Sequence, residues 1–327
     1  KASAAPSPDA LILGAGLGML FIEVTDRCNE RCVHCYAEAA PERMNRLSLS
    51  DIEAVLRAAR KLGDPAVQFT GGDPLIHPDI VEAVALAREL DFDPVEIYTN
   101  GLALNKALLQ RLMPYRPRFA FSVYSHDPAT HDAITRVPGS HARTIRAIRH
   151  ARDAGLSVRA GIIVMRENRG HEAETVRFLR QECGLNDNRI GLDVVRSAGR
   201  GHFLRGWEPD MSLHEETADP GHRPTAGEPR ERGNTPARRG KLCITAQGAV
   251  HPCIFSRHVT LGNIRLAPLD AIVHGLRART FAAPSAARWE TCKQSLSCAD
   301  CQAIAWALGA GAEPADTLSP EAGHAAA

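Results

Sequence analysis

Cys28, Cys32 and Cys35 stand in the string Cys28-Asn29-Glu30-Arg31-Cys32-Val33-His34-Cys35-Tyr36, shortly after the largely apolar run Met19 to Val24. Three thiolates therefore crowd one loop leaving a strand. Cysteine thiolates hold iron–sulfur clusters, and a four-iron, four-sulfur cube normally takes four of them, so a three-cysteine loop leaves one iron open to a non-protein ligand. Zinc is the alternative, with His34 as a fourth ligand. Structural zinc sites usually pair ligands from separate segments, whereas here every candidate lies in one loop. A second glycine-bearing motif, Gly71-Gly72-Asp73-Pro74, follows the strand-like run Val67 to Thr70. A disulfide framework fits this spacing less well still.

This pair of motifs resembles the radical SAM superfamily, whose members carry CxxxCxxC after the first barrel strand and a GGEP-type turn after the second. Asp73 stands where Glu is commoner, which shortens one acceptor arm but keeps the glycines that allow close backbone approach. The resemblance covers roughly residues 18–200. It implies a 4Fe-4S cluster on Cys28, Cys32 and Cys35 whose open iron chelates the amino and carboxylate groups of S-adenosylmethionine. The Gly71, Gly72, Asp73, Pro74 turn would accept from the amino group. An electron donor such as flavodoxin or ferredoxin is the implied partner.

Strand-like and helix-like segments alternate as such a site requires. Leu20 to Thr25, Ala66 to Thr70, Pro94 to Thr99, Arg118 to Tyr124, Ser157 to Val164 and Ile190 to Val195 read as short apolar strands. Ser48 to Leu62 and Pro78 to Leu90 carry apolar residues at helical spacing, the first behind a serine cap and the second with Pro78 in its first turn. Alternation of this kind predicts parallel strands with right-handed helical crossovers. The expected fold class is α/β, a partial (β/α)6 radical SAM barrel. Catalytic groups in parallel barrels come from the C-terminal strand ends. Asn100 after the third strand and Ser122 near the end of the fourth are thus candidate cofactor contacts; by resemblance Ser122 would contact the ribose, although an ordinary alternating strand serine is an equal reading. By resemblance, Arg196 or Arg200 after the sixth would pair with the methionine carboxylate, although a solvated surface role is an equal reading for an arginine.

Beyond a proline-rich, charge-mixed stretch, Glu208 to Gly240, which has almost no large apolar residues and reads as a linker or mobile loop, comes a second cysteine group. Cys243 and Cys253 flank a hairpin-like turn at Gly248, and Cys292, Cys298 and Cys301 follow, the last two as CxxC. This resembles the SPASM and twitch extensions of radical SAM enzymes. Positions where a full SPASM domain carries its last two cysteines hold Ala307 and Gly311. One auxiliary 4Fe-4S cluster is expected, on Cys243, Cys253, Cys298 and Cys301, with Cys292 left over as a candidate hydrogen-atom donor or alternative ligand. A rubredoxin-like iron or four-cysteine zinc site is the competing reading. Cys183 is expected as a small buried hydrophobe. The domain reading is 1–17 an N-terminal segment, 18–207 the barrel, 208–240 the linker, 241–311 the auxiliary-cluster domain and 312–327 a tail.

Composition narrows the rest. A chain of 327 residues, 44% apolar, can bury a sizeable core. A net charge of +1 gives no electrostatic case for nucleic acid or an anionic membrane. No apolar run approaches the ~18 residues of a membrane span. Nine cysteines behind no recognisable signal segment point to metal use in a reducing compartment, so a cytoplasmic location is expected. Gly14 to Gly18 precedes rather than follows the first strand, so a dinucleotide loop is a weak reading. No histidine pair carries a zinc-protease pattern. By resemblance, the substrate is a ribosomally synthesised peptide that is crosslinked or epimerised. Epimerisation or dehydrogenation of an aminoglycoside or other sugar-like small molecule is the alternative, and a non-enzymatic electron carrier ranks behind both, having no use for an open iron. Too little chain precedes the first strand for a leader-recognition domain, and the chain opens at Lys1 rather than Met. A separate leader-peptide-binding protein or a missing upstream segment is therefore expected for the peptide case.

Overall fold

The computed structural model describes residues 16–196, 198–204, 240–255, 257 and 260–276. Strands β1 (Leu17–Thr25), β2 (Ala66–Gly71), β3 (Val95–Thr99), β4 (Arg118–Ser122), β5 (Val158–Val164) and β6 (Ile190–Val194) are all parallel. Helices α1 (Leu49–Leu62), α2 (Ile80–Glu89), α3 (Lys106–Leu112), α4 (Pro128–Thr135), α5 (Ser140–Asp153) and α6 (Glu172–Cys183) connect them. The expected partial barrel is present, each strand within a few residues of its expected bounds.

Local chemistry explains the elements. Ser48 and Asp51 form a reciprocal capping box at the start of α1, which contributes about 1 kcal/mol. Ile52, Val55, Leu56, Ala59 and Leu62 then make a buried stripe along it. In β1, Leu20, Ile22 and Val24 face the helical layer and are wholly buried. The alternate residues face the lumen, as the period of two demands. That lumen is polar: Gln68 Nε2 donates to Glu96 Oε1 at 2.6 Å, and Arg159 makes a bidentate pair with Glu96 at 2.7 and 2.8 Å. Cys183 lies in the core at the end of α6, as expected for a small apolar group.

The second cysteine region does not begin as a separate layer. Strand β7 (Gly240–Ile244) pairs in parallel with β1, Cys243 opposite Phe21, and β8 (Ala249–His251) and β9 (Gly262–Asn263) follow antiparallel. The nine strands form one sheet in the order β6-β5-β4-β3-β2-β1-β7-β8-β9. Helix α7 (Leu269–Gly275) packs on α1, where Lys61 pairs with Asp270 at 2.8 Å. Among the described residues no helix is long and apolar enough to cross a membrane. The linker up to residue 239, Cys292, Cys298, Cys301, Ala307 and Gly311 lie outside the described residues.

Candidate active site

The three cysteines of the first motif sit on the loop between β1 and α1, and that loop is pinned from several directions. Arg31 N and Val33 N donate to the Thr135 and Ile134 carbonyls at 3.1 and 3.0 Å. Cys28 N donates to Ala40 O at 3.2 Å. Arg200 donates Nε to Cys32 O at 2.8 Å, Nη2 to Ala39 O at 3.0 Å, and its backbone N to Cys35 O. A Cβ on Gly199 would meet Tyr36 O at 2.4 Å, and its φ of +52° is left-handed, so glycine is required where this clamp crosses the loop.

The glycine turn braces the same loop. Gly72 N donates to Thr25 O and Asp73 N to Arg27 O, at 2.6 and 3.0 Å. The close approach that the glycines permit is thus, in the first place, to the cysteine loop. Pro74 opens a short 3-10 turn, buried behind it. Asp73 is wholly buried, with Oδ2 accepting from Thr99 Oγ1 and Asn100 N at 2.6 and 2.9 Å and Oδ1 from Leu75 N at 2.9 Å. Burial lifts its carboxyl to about 6 against these three donors, so it remains ionised at neutral pH. Its shorter arm is committed to tying the β2 turn to the end of β3.

Asn100 carries that tie onward. Its Nδ2 donates to Asn29 Oδ1 at 2.6 Å and reaches Cys28 Sγ at 3.7 Å, and Glu30 N points at the same sulfur from 3.4 Å. Cys32 Sγ donates to Glu30 Oε2 at 3.2 Å. Glu30 escaped the sequence reading. It is buried inside the loop, its other oxygen has no hydrogen-bond partner among the described residues, and burial raises its carboxyl to about 7. Burial also pushes the Cys32 thiol well up, as do Glu30, Cys35 and Cys28. Burial pushes up the thiols of Cys28 and Cys32, so a cationic iron–sulfur core would stabilise the thiolate forms that burial alone disfavours, and the Asn100 and Glu30 N–H groups beside Cys28 Sγ suit that form.

Among the described residues no three His, Cys, Asp or Glu side chains converge on one metal ion. In a cube each thiolate binds its own iron, which asks for a wider arrangement. His34 meets Tyr124 edge to face at 4.8 Å, and burial drives its imidazole down to about 4.

The remaining candidates occupy the lumen and its rim. The Ser122 side chain neighbours the buried Tyr98 and Tyr124 hydroxyls, and Gly161 makes room for the Tyr98 hydroxyl, which a Cβ would approach to 2.4 Å. Arg196 donates to Asp193 Oδ1 at 2.6 Å and lies over the Phe255 ring at 5.6 Å. Arg200, by contrast, spends its donors on the cysteine loop rather than facing the lumen.

Glu23 also escaped the sequence reading, although a carboxylate inside the apolar run Met19 to Val24 is the anomaly that could have flagged it. It is buried in the lumen and bound by Arg257, whose guanidinium lies 5.0 Å from the Tyr36 ring centre. Phe255 meets Tyr36 edge to face at 5.4 Å. The second cysteine region thereby reaches into the barrel beside Cys35. Cys243, also buried, lies 3.8 Å from Glu23 Oε1, and Gly248 turns the hairpin at φ +84° toward the buried Cys253.

Comparison with known proteins agrees with this geometry. Residues 22–179 match the model of the radical SAM superfamily, and residues 236–302 match SPASM, an iron–sulfur cluster-binding domain. The antilisterial bacteriocin subtilosin biosynthesis protein AlbA of Bacillus subtilis is 28% identical over 258 residues, 74% of this chain and 56% of AlbA. The AdoMet-dependent heme synthase of Nitratidesulfovibrio vulgaris is 34% identical over 148 residues, 45% of this chain and 40% of that protein. The chain therefore spans less than two thirds of either relative. Among solved structures, Streptococcus suis SuiB bound to S-adenosylmethionine superposes with a TM-score of 0.64 at 18% identity, over 89% of this chain and 72% of SuiB. SuiB bound to its precursor peptide SuiA gives 0.60 at the same identity, over 90% and 71%. Cysteine loop, glycine turn, parallel barrel and second cysteine region together place the chain in the radical SAM superfamily, with a SPASM-type iron–sulfur extension.

Proposed function

We propose that this chain cleaves S-adenosylmethionine reductively and uses the resulting radical to modify a ribosomally synthesised peptide, by crosslinking or epimerisation. The observation that carries the reading is the likeness to AlbA, a bacteriocin biosynthesis protein, which extends over 74% of this chain. The fold shared with SuiB, a structure of which holds a precursor peptide, is in keeping with it.

In this reading Cys28, Cys32 and Cys35 hold the 4Fe-4S cluster that binds S-adenosylmethionine. Cys243 and Cys253 supply half the ligands of one auxiliary cluster, completed by Cys298 and Cys301. When bound, cluster and cofactor supply a carbon radical able to take a hydrogen atom from an unactivated C–H bond. The protein's part is to place and shield. Arg200, Gly72 and Asn100 fix the cysteine loop. Glu23, Arg257, Tyr36 and Phe255 close the lumen against water beside it. Ser122, Tyr98, Asp193 and Arg196 offer polar contacts to cofactor or substrate.

A second reading rests on the lumen itself. Gln68, Glu96, Arg159 and Tyr98 would also suit a hydroxyl-rich small molecule such as an aminoglycoside. One experiment separates the two. Reconstituted protein, S-adenosylmethionine and dithionite are incubated with peptides encoded beside the gene, and products are read by mass spectrometry. Peptide modification with matching 5′-deoxyadenosine supports the first reading. Its absence, with turnover of an aminoglycoside, supports the second.

A further inference from the structure

The outer face of the cysteine loop is cationic, unlike the chain as a whole. Arg27, Arg31, Arg43 and Arg46 are all exposed on the loop and its return to α1, and Arg136 and Arg143 are exposed where α4 and α5 meet against it. The backbone holds these groups around the loop: Arg27 bridges to Ala40, Arg46 to Thr25, and Arg31 N bonds Thr135 O. Exposed acids on the same stretch are Glu38 and Glu42, and Glu42 is occupied by Arg31 at 2.7 Å. Six arginines against these two carboxylates and the partly exposed Asp132 of α4 leave a local excess of about three (6 − 3), against the net charge of +1 carried by the whole chain.

Within this cationic rim stands an apolar side chain that solvent should disfavour. Met44 is 77% exposed, one of two large hydrophobic side chains so placed among the described residues. With Arg27, Arg46 and Pro78 it lines a cleft of about 290 Å³ beside the loop. Methionine and arginine are both enriched in protein interfaces, where an apolar centre supplies burial and a charged rim sets partner and register. Arg27 and Arg31, moreover, directly precede Cys28 and Cys32 in the chain, so whatever docks here sits next to the cysteine loop.

We infer that this face docks an acidic electron-donor protein, with Met44 as its apolar anchor and Arg27, Arg43 and Arg46 as its steering rim. The inference rests on the radical SAM reading above, since that cluster must receive one electron for each cleavage. The step balances simply: one electron leaves the donor's reduced flavin or iron–sulfur centre, one enters the cluster, and no atom is transferred. A cationic face speeds encounter with an anionic donor and does so less as salt rises, because the Debye length falls from about 30 Å at 0.01 M to about 10 Å at 0.1 M. A nucleic acid would not need the exposed methionine.

The test uses a purified acidic flavodoxin reduced by its own reductase, with dithionite as a donor that needs no docking. Binding is measured directly across salt concentrations, and 5′-deoxyadenosine formation is followed with each donor. Arg43→Glu/Arg46→Glu and, separately, Met44→Ser are expected to raise the flavodoxin Kd and KM about tenfold at low salt, with iron content and the dithionite rate unchanged. Arg118→Glu/Arg189→Glu, at the opposite ends of the strands, should leave both donors' kinetics alone. The inference is overturned if the loop variants bind flavodoxin as the wild type does, or if the remote pair weakens binding equally. It is overturned too if the loop variants instead raise KM for the peptide while flavodoxin kinetics hold. Salt-sensitive flavodoxin binding lost in the loop variants, in a protein that cleaves nothing even with dithionite, would support the docking face and sink the radical reading.

Discussion

Gly72 lies so close to Arg27 that a Cβ on it would stand 1.8 Å from the Arg27 carbonyl oxygen and 3.0 Å from Cys28 N. The obstacle is backbone, which cannot swing aside as a side chain can. Gly72→Ala must therefore push the β2 turn and the cysteine loop apart. We expect the variant to fold but to lose most of the iron held by Cys28, Cys32 and Cys35, read as iron content and cluster spectrum after reconstitution. Wild-type iron loading would show that the loop has slack which the packing denies.

Asp73 links that turn to the end of β3 through Thr99 Oγ1 and Asn100 N, and Thr99 is the side-chain donor. Thr99→Val keeps the shape and removes the hydroxyl, leaving a buried carboxylate short of a partner. The expected cost is about 1–3 kcal/mol in urea unfolding, with the Asp73 carboxyl rising further from about 6 because its charged form loses a donor. A change inside 0.5 kcal/mol would mean that the remaining donors suffice.

Such couplings separate what the sequence displays from what it hides. The cysteine loop, the glycine turn and the six strands are legible because each is a local pattern: a fixed spacing, a turn composition, a short apolar run. Arg200 was legible only as a cation after β6, and its clamp on Cys32 and Ala39 depends on the barrel bringing residues 161 or more apart together. Glu23 and Arg257 are farther apart still. The hairpin around Gly248 could be read, but its place on the free edge of β1 could not, since nothing in the run Gly240 to Ile244 names its neighbour.

Acid sensitivity follows from the buried histidines. His131, between Tyr124 and His141, is held neutral by burial and by the neighbouring His141, its imidazole driven down to about 3. The unfolded chain takes up this proton below about pH 6.5 and the native chain does not, so stability is complete above 6.5 and falls as pH drops toward 3. The slope is about 1.4 kcal/mol per pH unit for this group. His131→Asn offers an acceptor to Tyr124 N without titrating, so its denaturation midpoint should fall less steeply between pH 6.5 and 5. Parallel curves for variant and wild type would remove His131 from the account.

The extension should be held to the barrel partly by the Glu23–Arg257 pair. Glu23 is almost wholly buried, and burial raises its carboxyl against the pull of Arg257. Arg257→Met would leave that carboxyl without its cation, at about 3 kcal/mol, the low end for a broken buried pair because Arg257 itself is partly exposed. Adding Glu23→Gln should recover part of the loss. A double-variant cost equal to the sum of the Arg257→Met and Glu23→Gln costs would show that the pair contributes no coupling.

The last expectation concerns the cysteine left over. Cys243, Cys253, Cys292, Cys298 and Cys301 are five, and one auxiliary cluster takes four. Reconstituted protein should then hold about eight irons rather than about twelve, counting both clusters. If Cys292 is the spare and stands near the substrate, its S–H bond, weaker than most C–H bonds, can return a hydrogen atom to a carbon radical. The outcome would be epimerisation, with hydrogen removed from one face and restored on the other without net oxidation. In deuterated water the wild type should place one deuterium at the reacting carbon, and Cys292→Ala should lose that incorporation while still forming 5′-deoxyadenosine. A wild type that incorporates none, or a variant that incorporates it fully, ends the donor role and makes crosslinking or dehydrogenation the better account of the chemistry.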